Sequence, residues 1–153
     1  MSGMLDLSGA DTSGFEPLPA DTYLMAINEA TMVETPEEKK LPKGTPGLKV
    51  EFRVTAGEYE NRLVWNNYWI PNDKKYDKKK AAFMKGNLVR MLVNAGYDEQ
   101  EIIENGVTDL EDLKGRELDV TVKIVQNEGY DPQNQVVGTR PAGSRTGASS
   151  DLI

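Results

Sequence analysis

Two residue types are missing from this chain altogether: across 153 residues there is no cysteine and no histidine. The first absence removes disulfides and thiolate nucleophiles, and the second removes the side chain that most often works as a general base near neutral pH. Together they exclude Cys/His zinc sites and every catalytic triad built on histidine. Carboxylates alone could still hold a hard cation, but pairs such as Glu37-Glu38 and Glu111-Asp112 fall where solvated loops or helix ends are expected. Gly44-Thr-Pro-Gly47 lacks the spacing and the following Lys-Ser/Thr pair of a phosphate loop. No metal, cofactor or catalytic residue is therefore expected, and the chain reads as a non-enzyme. Long apolar runs are missing as well. None approaches the ~18 residues of a membrane span, and Met1-Ser-Gly-Met-Leu-Asp-Leu7 has neither a basic n-region nor a long apolar stretch. The expectation is a protein that stays in the cytoplasm where it is made.

What is present is unevenly placed. Hydrophobic residues make up 38% and charged residues 28%, enough for one domain with a single core. The formal net charge is -7, yet residues 1–42 carry 8 acids and 2 bases, residues 43–90 carry 5 acids and 11 bases, and residues 91–153 carry 12 acids and 5 bases. The middle third is a basic island in an acidic chain. Because charges are screened over about 8 Å at physiological salt, such a patch can hold a polyanion whatever the total charge. Aromatic residues are scarce, at 7%, but Arg62 to Lys80 gathers two Trp, two Tyr, five Lys and an Arg into nineteen residues.

Hydrophobic periodicity orders the rest. Residues 1–20 are rich in Gly, Ser, Asp and Pro and read as an N-terminal arm, followed by a strand from about Thr22 to Val33. Leu48, Val50, Phe52 and Val54 alternate strictly with Lys49, Glu51 and Arg53, a second strand with its apolar face inward. Ala56-Gly-Glu-Tyr59 turns the chain into a third strand, Arg62 to Ile70. From about Asp77, Ala81, Met84, Leu88, Met91 and Leu92 recur at helical spacing, and Ala95-Gly96 suits the stop. Asp98 with Glu101, and Thr108 with Glu111, are capping boxes that open two short helices. Leu118 to Ile124 is a fourth strand and Gln135 to Arg140 a fifth, and residues 141–153 read as a disordered tail. The expected fold is mainly β with an α insertion. It is a five-stranded antiparallel barrel over residues 21–140, similar to the oligonucleotide-binding (OB) fold, with a helical segment between strands 3 and 4.

Four pieces in order carry a resemblance: Phe15-Glu-Pro-Leu-Pro-Ala-Asp-Thr-Tyr23, Gly47-Leu-Lys-Val-Glu-Phe-Arg-Val54, Gly57-Glu-Tyr-Glu-Asn-Arg-Leu-Val-Trp65 and Asp109-Leu-Glu-Asp-Leu-Lys-Gly-Arg116. The chain resembles a bacteriophage family of single-stranded-DNA-binding proteins long catalogued only as a domain of unknown function. The resemblance implies an OB-like barrel that coats exposed single strands during phage DNA replication or recombination, in the cytoplasm of the infected host. Where family members read Gly, this chain has Glu60-Asn61, and Asn61 can supply the positive φ of a turn. Many single-strand binders also end in an acidic tip that recruits replication or recombination proteins. Here Asp151-Leu-Ile153 offers one Asp for that role.

A sequence-tolerant single-strand binder combines rings that stack on bases with cations that track the phosphates. The candidate surface is Lys49, Arg53, Arg62, Trp65, Tyr68, Trp69, Lys74, Lys75, Tyr76, Lys78, Lys79 and Lys80. Trp65 and Trp69 share one face of the third strand and Tyr68 lies on the other, so either set can be the outward one. Blander roles compete: the Trp pair in the core, Lys49 and Arg53 paired across strands with Glu, and Lys78 to Lys80 as a solvated helix start. The competing function is a protein-protein or virion/replisome assembly module without nucleic acid, and a homo-oligomer is compatible with both.

Overall fold

The computed structural model describes residues 5–9, 16–37, 40–72, 74, 76–107, 109–126, 128–129 and 131–143. In chain order the elements are β1 (Asp21–Glu34), β2 (Pro46–Val54), β3 (Leu63–Trp69), α1 (Lys78–Asn94), α2 (Glu99–Asn105), a 3-10 turn (Leu110–Leu113), β4 (Glu117–Val125) and β5 (Gln133–Pro141). One antiparallel sheet takes the order β3-β2-β1-β4-β5. Four successive antiparallel pairings leave the edge strands β3 and β5 running the same way. The sheet is open: among the described residues no backbone ladder joins β3 to β5.

The strands bend for identifiable reasons. β1 pairs through Met25–Glu34 with β2 and through Asp21–Ala26 with β4, and Asn28 is an extra residue between Ile27 and Glu29 in the β2 ladder. In the β4–β5 ladder Thr121 faces Gly138 and Val122 faces Val136, so Val137 is left over. Each bulge sharpens the local bend and twist. The coiled sheet then wraps a core of Met25, Ile27, Val50, Phe52, Val54, Leu118, Val120 and Val122, all buried.

Other segments complete that core. The arm contributes Leu18, which is fully buried and clamped by Asn134. The Leu18 backbone N–H donates to Asn134 Oδ1 (2.8 Å), and Asn134 Nδ2 donates to the Leu18 carbonyl (2.9 Å). One apolar residue of the arm thus belongs to the core. α1 buries Ala81, Met91 and Leu92, and Asp77 caps it by accepting from the Lys80 N–H (3.0 Å). Asp98 caps α2 through the Glu101 N–H, as the first capping box requires. Thr108 of the second box lies outside the described residues, and the segment beyond it forms a 3-10 turn capped by Asp109. The fifth strand also runs further than expected, through Pro141, and residues 144–153 of the expected tail lie outside the described residues.

A polar brace ties the helical insertion to the sheet. Arg116 donates to the Ala95 carbonyl at the end of α1 (3.2 Å), to the Asp112 carbonyl (3.0 Å) and to Asp112 Oδ2 (2.9 Å), and its guanidinium lies 3.9 Å from the Tyr97 ring centre. Tyr97 also donates its hydroxyl to Asp112 Oδ2 (2.8 Å). The backbone flanking Arg116 joins β1, through Ile27 N–H to the Arg116 carbonyl (2.9 Å) and Gly115 N–H to the Ile27 carbonyl (2.8 Å). Hydrogen bonds from Arg116 and then Tyr97 hold the Asp112 carboxyl below the usual carboxylate range.

Removing a guanidinium with this many partners should cost about 1–3 kcal/mol, so Arg116→Ala should shift a urea unfolding midpoint down without changing its slope. Asp112 is more acidic folded than unfolded. Its contribution is therefore fully present above the ordinary carboxylate range and is lost as pH falls through the lowered folded value. Asp112→Asn should flatten the acid side of a stability-pH profile that in the native chain declines there.

Candidate functional site

The register between β2 and β3 decides which rings face out. Leu48, Val50 and Phe52 are buried, and they stand opposite Tyr68, Asn66 and Val64. Those three β3 residues therefore point inward, and Leu63, Trp65, Asn67 and Trp69 point outward beside Arg53, Glu51, Lys49 and Gly47. The ambiguity in the sequence resolves in favour of the tryptophans: Trp65 is 49% exposed, whereas Tyr68 is 7% exposed. Burial raises the Tyr68 phenol above its ordinary pKa, against a smaller opposing effect of its hydrogen bond with Asn66. Tyr68 is thus a core residue whose edge borders the site, not a displayed ring.

Each outward residue has a reason for its pose. The Trp65 indole N–H donates to Glu51 Oε1 (3.0 Å), and Asn28 Nδ2 donates to the other carboxylate oxygen. Trp69 lies against β2 where Gly47 leaves room: a Cβ at position 47 would sit 2.5 Å from Trp69 Cε3. A strand glycine commonly marks such close approach. Arg53 donates to Asn61 Oδ1 (3.3 Å), and Asn61 does adopt the positive φ, 72°, expected of it. Arg62 donates to the Glu16 carbonyl, tying the arm to the start of β3.

Three concavities meet along β3. One of about 650 Å³ is lined by Glu16, Pro17, Arg62, Trp65 and, from the β5 side, Gln133 and Asn134. A smaller one, of about 490 Å³, is lined by Lys49, Trp65, Asn66, Asn67 and Trp69. The third, of about 520 Å³, lies between β3, α1 and β5 and is lined by Asn66, Asn67, Tyr68, Trp69, Phe83, Met84, Asn87, Arg90 and Val136–Thr139. Trp65 is shared by the first two, and Asn66, Asn67 and Trp69 by the last two, so the recesses form one path along a strand ~23 Å long.

The elements that flank this path are basic, although Glu16 lines its first recess and Glu51 holds the Trp65 indole. β3, α1 and β5 together contain no Asp or Glu, against six bases: Lys78, Lys79, Lys80, Lys85, Arg90 and Arg140. α1 accordingly has no acid in its first turn, and the N-cap Asp77 stands between Tyr76 and the three exposed lysines. Flat rings, amides and cations along a trough suit a ligand that is aromatic and anionic at once.

The predicted residues divide into groups. Lys49, Trp65 and Trp69 share one recess, Arg62 joins Trp65 in a second, and Tyr68 joins Trp69 in the third. Arg53 stands beside the path, opposite Leu63. Lys74, Lys78, Lys79 and Lys80 are exposed and Tyr76 is half-buried, but none of them lines a recess, and Lys75 lies outside the described residues. Among the described residues no ion pair engages Lys49, Arg53, Arg62, Lys74 or Lys78 to Lys80, so cross-strand pairing of Lys49 and Arg53 with Glu is not seen.

The sequence reading missed Phe83, Asn87 and Arg90, which face the third recess, and the two asparagines of β3. The first three sit at i, i+4, i+7, a second stripe on α1 apart from its core stripe. Phe83, 67% exposed, was the available signal, a large ring off the core face of a helix. Gly47→Ala should force Trp69 off β2 and so increase acrylamide quenching of the indole emission, while Gly86→Ala in α1, where an added Cβ meets nothing within 4 Å, should leave that quenching unchanged.

No curated protein matches this chain. Over residues 5–149, almost its full length, it matches the family described as "Protein of unknown function (DUF669)", and the chain belongs to that family.

Proposed function

We propose that the chain is a sequence-independent single-stranded-DNA-binding protein of a bacteriophage, which coats exposed strands during replication or recombination in the host cytoplasm. The observation that carries this reading is the path along β3: two outward tryptophans, Lys49 and Arg62 beside them, and flanking elements α1 and β5 without a single acid. The topology supports an OB-like barrel left partly open. Its strand order, its parallel edge strands facing each other across a recess and its helical segment between β3 and β4 are compatible with that fold. The β2–β3 face is also where OB folds take oligonucleotides. Among the described residues no helix is long and apolar enough to cross a membrane. A partner-recruiting role for Asp151 falls outside the described residues.

The energetics set what should be seen. Stacking contributes roughly 1–3 kcal/mol per base, so Trp65→Ala and Trp69→Ala should each weaken binding about 5- to 150-fold. If four phosphates are neutralised, a slope of about -0.7 per contact predicts about a 50-fold loss between 50 and 200 mM salt. Titration of the native chain with oligo-dT should quench the tryptophan emission with that salt dependence. Absence of quenching at low salt, or equal affinity for duplex DNA, overturns the reading. Replacing Lys78, Lys79 and Lys80 with Gln should reduce the salt slope without removing the quenching.

A further inference from the structure

A carboxylate stands among the rings and cations of the outer face. Glu51 lies between Lys49 and Arg53 on β2 and directly opposite Trp65 on β3. Among the described residues no base forms an ion pair with it. An acid there opposes any polyanion drawn to its neighbours, so what its two oxygens do instead is informative. Oε1 accepts the Trp65 indole N–H at 3.0 Å, and Oε2 accepts from the Asn28 amide of β1.

The second contact exists because of the bulge in β1. Ile27 is buried opposite Phe52, and Ala30 faces the buried Val50, so both point inward. The extra residue lets Asn28 and Glu29 both stand outward between them, and both are exposed. Glu29 is the one in register with Glu51, where like charges repel, and Lys114 holds its carboxylate at 3.3 Å. Asn28 is left to meet Glu51, and because a carboxylate only accepts, the amide presents its NH2. Bulges beside functional sites commonly re-aim a side chain in this way. We propose that Asn28 is a positioning residue for nucleic-acid binding: it fixes the Glu51 carboxylate, which in turn holds the Trp65 indole in the pose that stacks on a base. The proposal rests on the single-strand reading. Trp65 is 49% exposed, so without this tether its ring would be free to turn, and binding would have to immobilise it. Preordering such a side chain avoids a cost equivalent to about 2- to 10-fold in affinity.

The test measures the affinity of the full chain for labelled oligo-dT by anisotropy at constant salt. Charge and positioning predict opposite signs for Glu51→Ala. Losing an acid should tighten binding of a polyanion, whereas losing the tether should weaken it about 2- to 10-fold, and weakening is the expected result. Glu51→Gln keeps an acceptor for the indole and should bind at least as tightly as the native chain. Asn28→Ala should weaken binding, and adding it to Glu51→Ala should weaken binding no further. The free protein gives a second readout, since the chain has two tryptophans and hence two indole N–H resonances. Asn28→Ala should move the resonance of Trp65 and leave that of Trp69 in place, with the melting temperature unchanged. Unchanged or tighter binding by the Glu51→Ala protein overturns the proposal and leaves the single-strand reading standing. So does an Asn28→Ala protein whose affinity and Trp65 resonance both match those of the native chain. Failure of the native chain to bind oligo-dT overturns the reading itself, and the proposal with it.

Discussion

The pairing register of β2 with β3 is the constraint on which the rest of the site depends. A slip of one residue would exchange the two faces of β3, burying both tryptophans and displaying Tyr68, Asn66 and Val64. The register is held from both sides. Phe52, Val50 and Leu48 of β2 are committed to the core by hydrophobic burial, which favours Val64 and the Tyr68 ring as their partners. On the outer face Gly47 leaves the space in which the Trp69 indole lies, and Glu51 accepts the Trp65 N–H. Inner packing and outer contacts thus specify the same pairing.

The outward tryptophans matter because of where β3 sits. As an edge strand it leaves one side open, toward β5, and α1 passes over that opening with Phe83, Asn87 and Arg90 turned into it. Asn94 fixes the helix there by donating to Thr139 Oγ1 (2.8 Å) on β5. At the other end of β3, Leu18 and Asn134 draw the arm and β5 together beside Arg62. The seam between the two edges is therefore braced at both ends and hollow between them. α1, β3 and β5 contain no acid, whereas α2 carries three. An acidic total charge and a cationic trough coexist because screening confines each to its own neighbourhood.

The parts of the fold legible in the sequence were those whose two faces differ in polarity. β2 and β4 alternate apolar with polar residues, and both appear close to the expected bounds; β2 buries its expected face, whereas β4 buries Leu118, Val120 and Val122 but also Asp119, and leaves Ile124 exposed. β3 has bulk on both faces, so its orientation could not be read until its partner was known: the eight residues between β2 and β3 permit more than one register. Whether the sheet closes was equally hidden, because closure depends on bulges at Asn28 and Val137 that leave no local composition signal. At the site, the basic, aromatic strip was visible as a cluster in sequence, but space divided it. Trp65, Trp69, Lys49 and Arg62 gather along the recesses, whereas Lys74 and Lys78 to Lys80 stand apart from them. Arg90 and the asparagines joined from outside the candidate set, since a helix crossing a seam unites residues that periodicity alone assigns to separate elements.

On the proposed reading, a single strand lies along the outward face and open edge of β3. Ultraviolet cross-linking of the native chain to oligo-dT, with the attached peptides identified by mass spectrometry, tests it most directly. Adducts are expected at Trp65, Trp69 and Phe83, and they should compete away with unlabelled single strands. Adducts confined to α2 or the 3-10 turn, with none on β3 or α1, would contradict it.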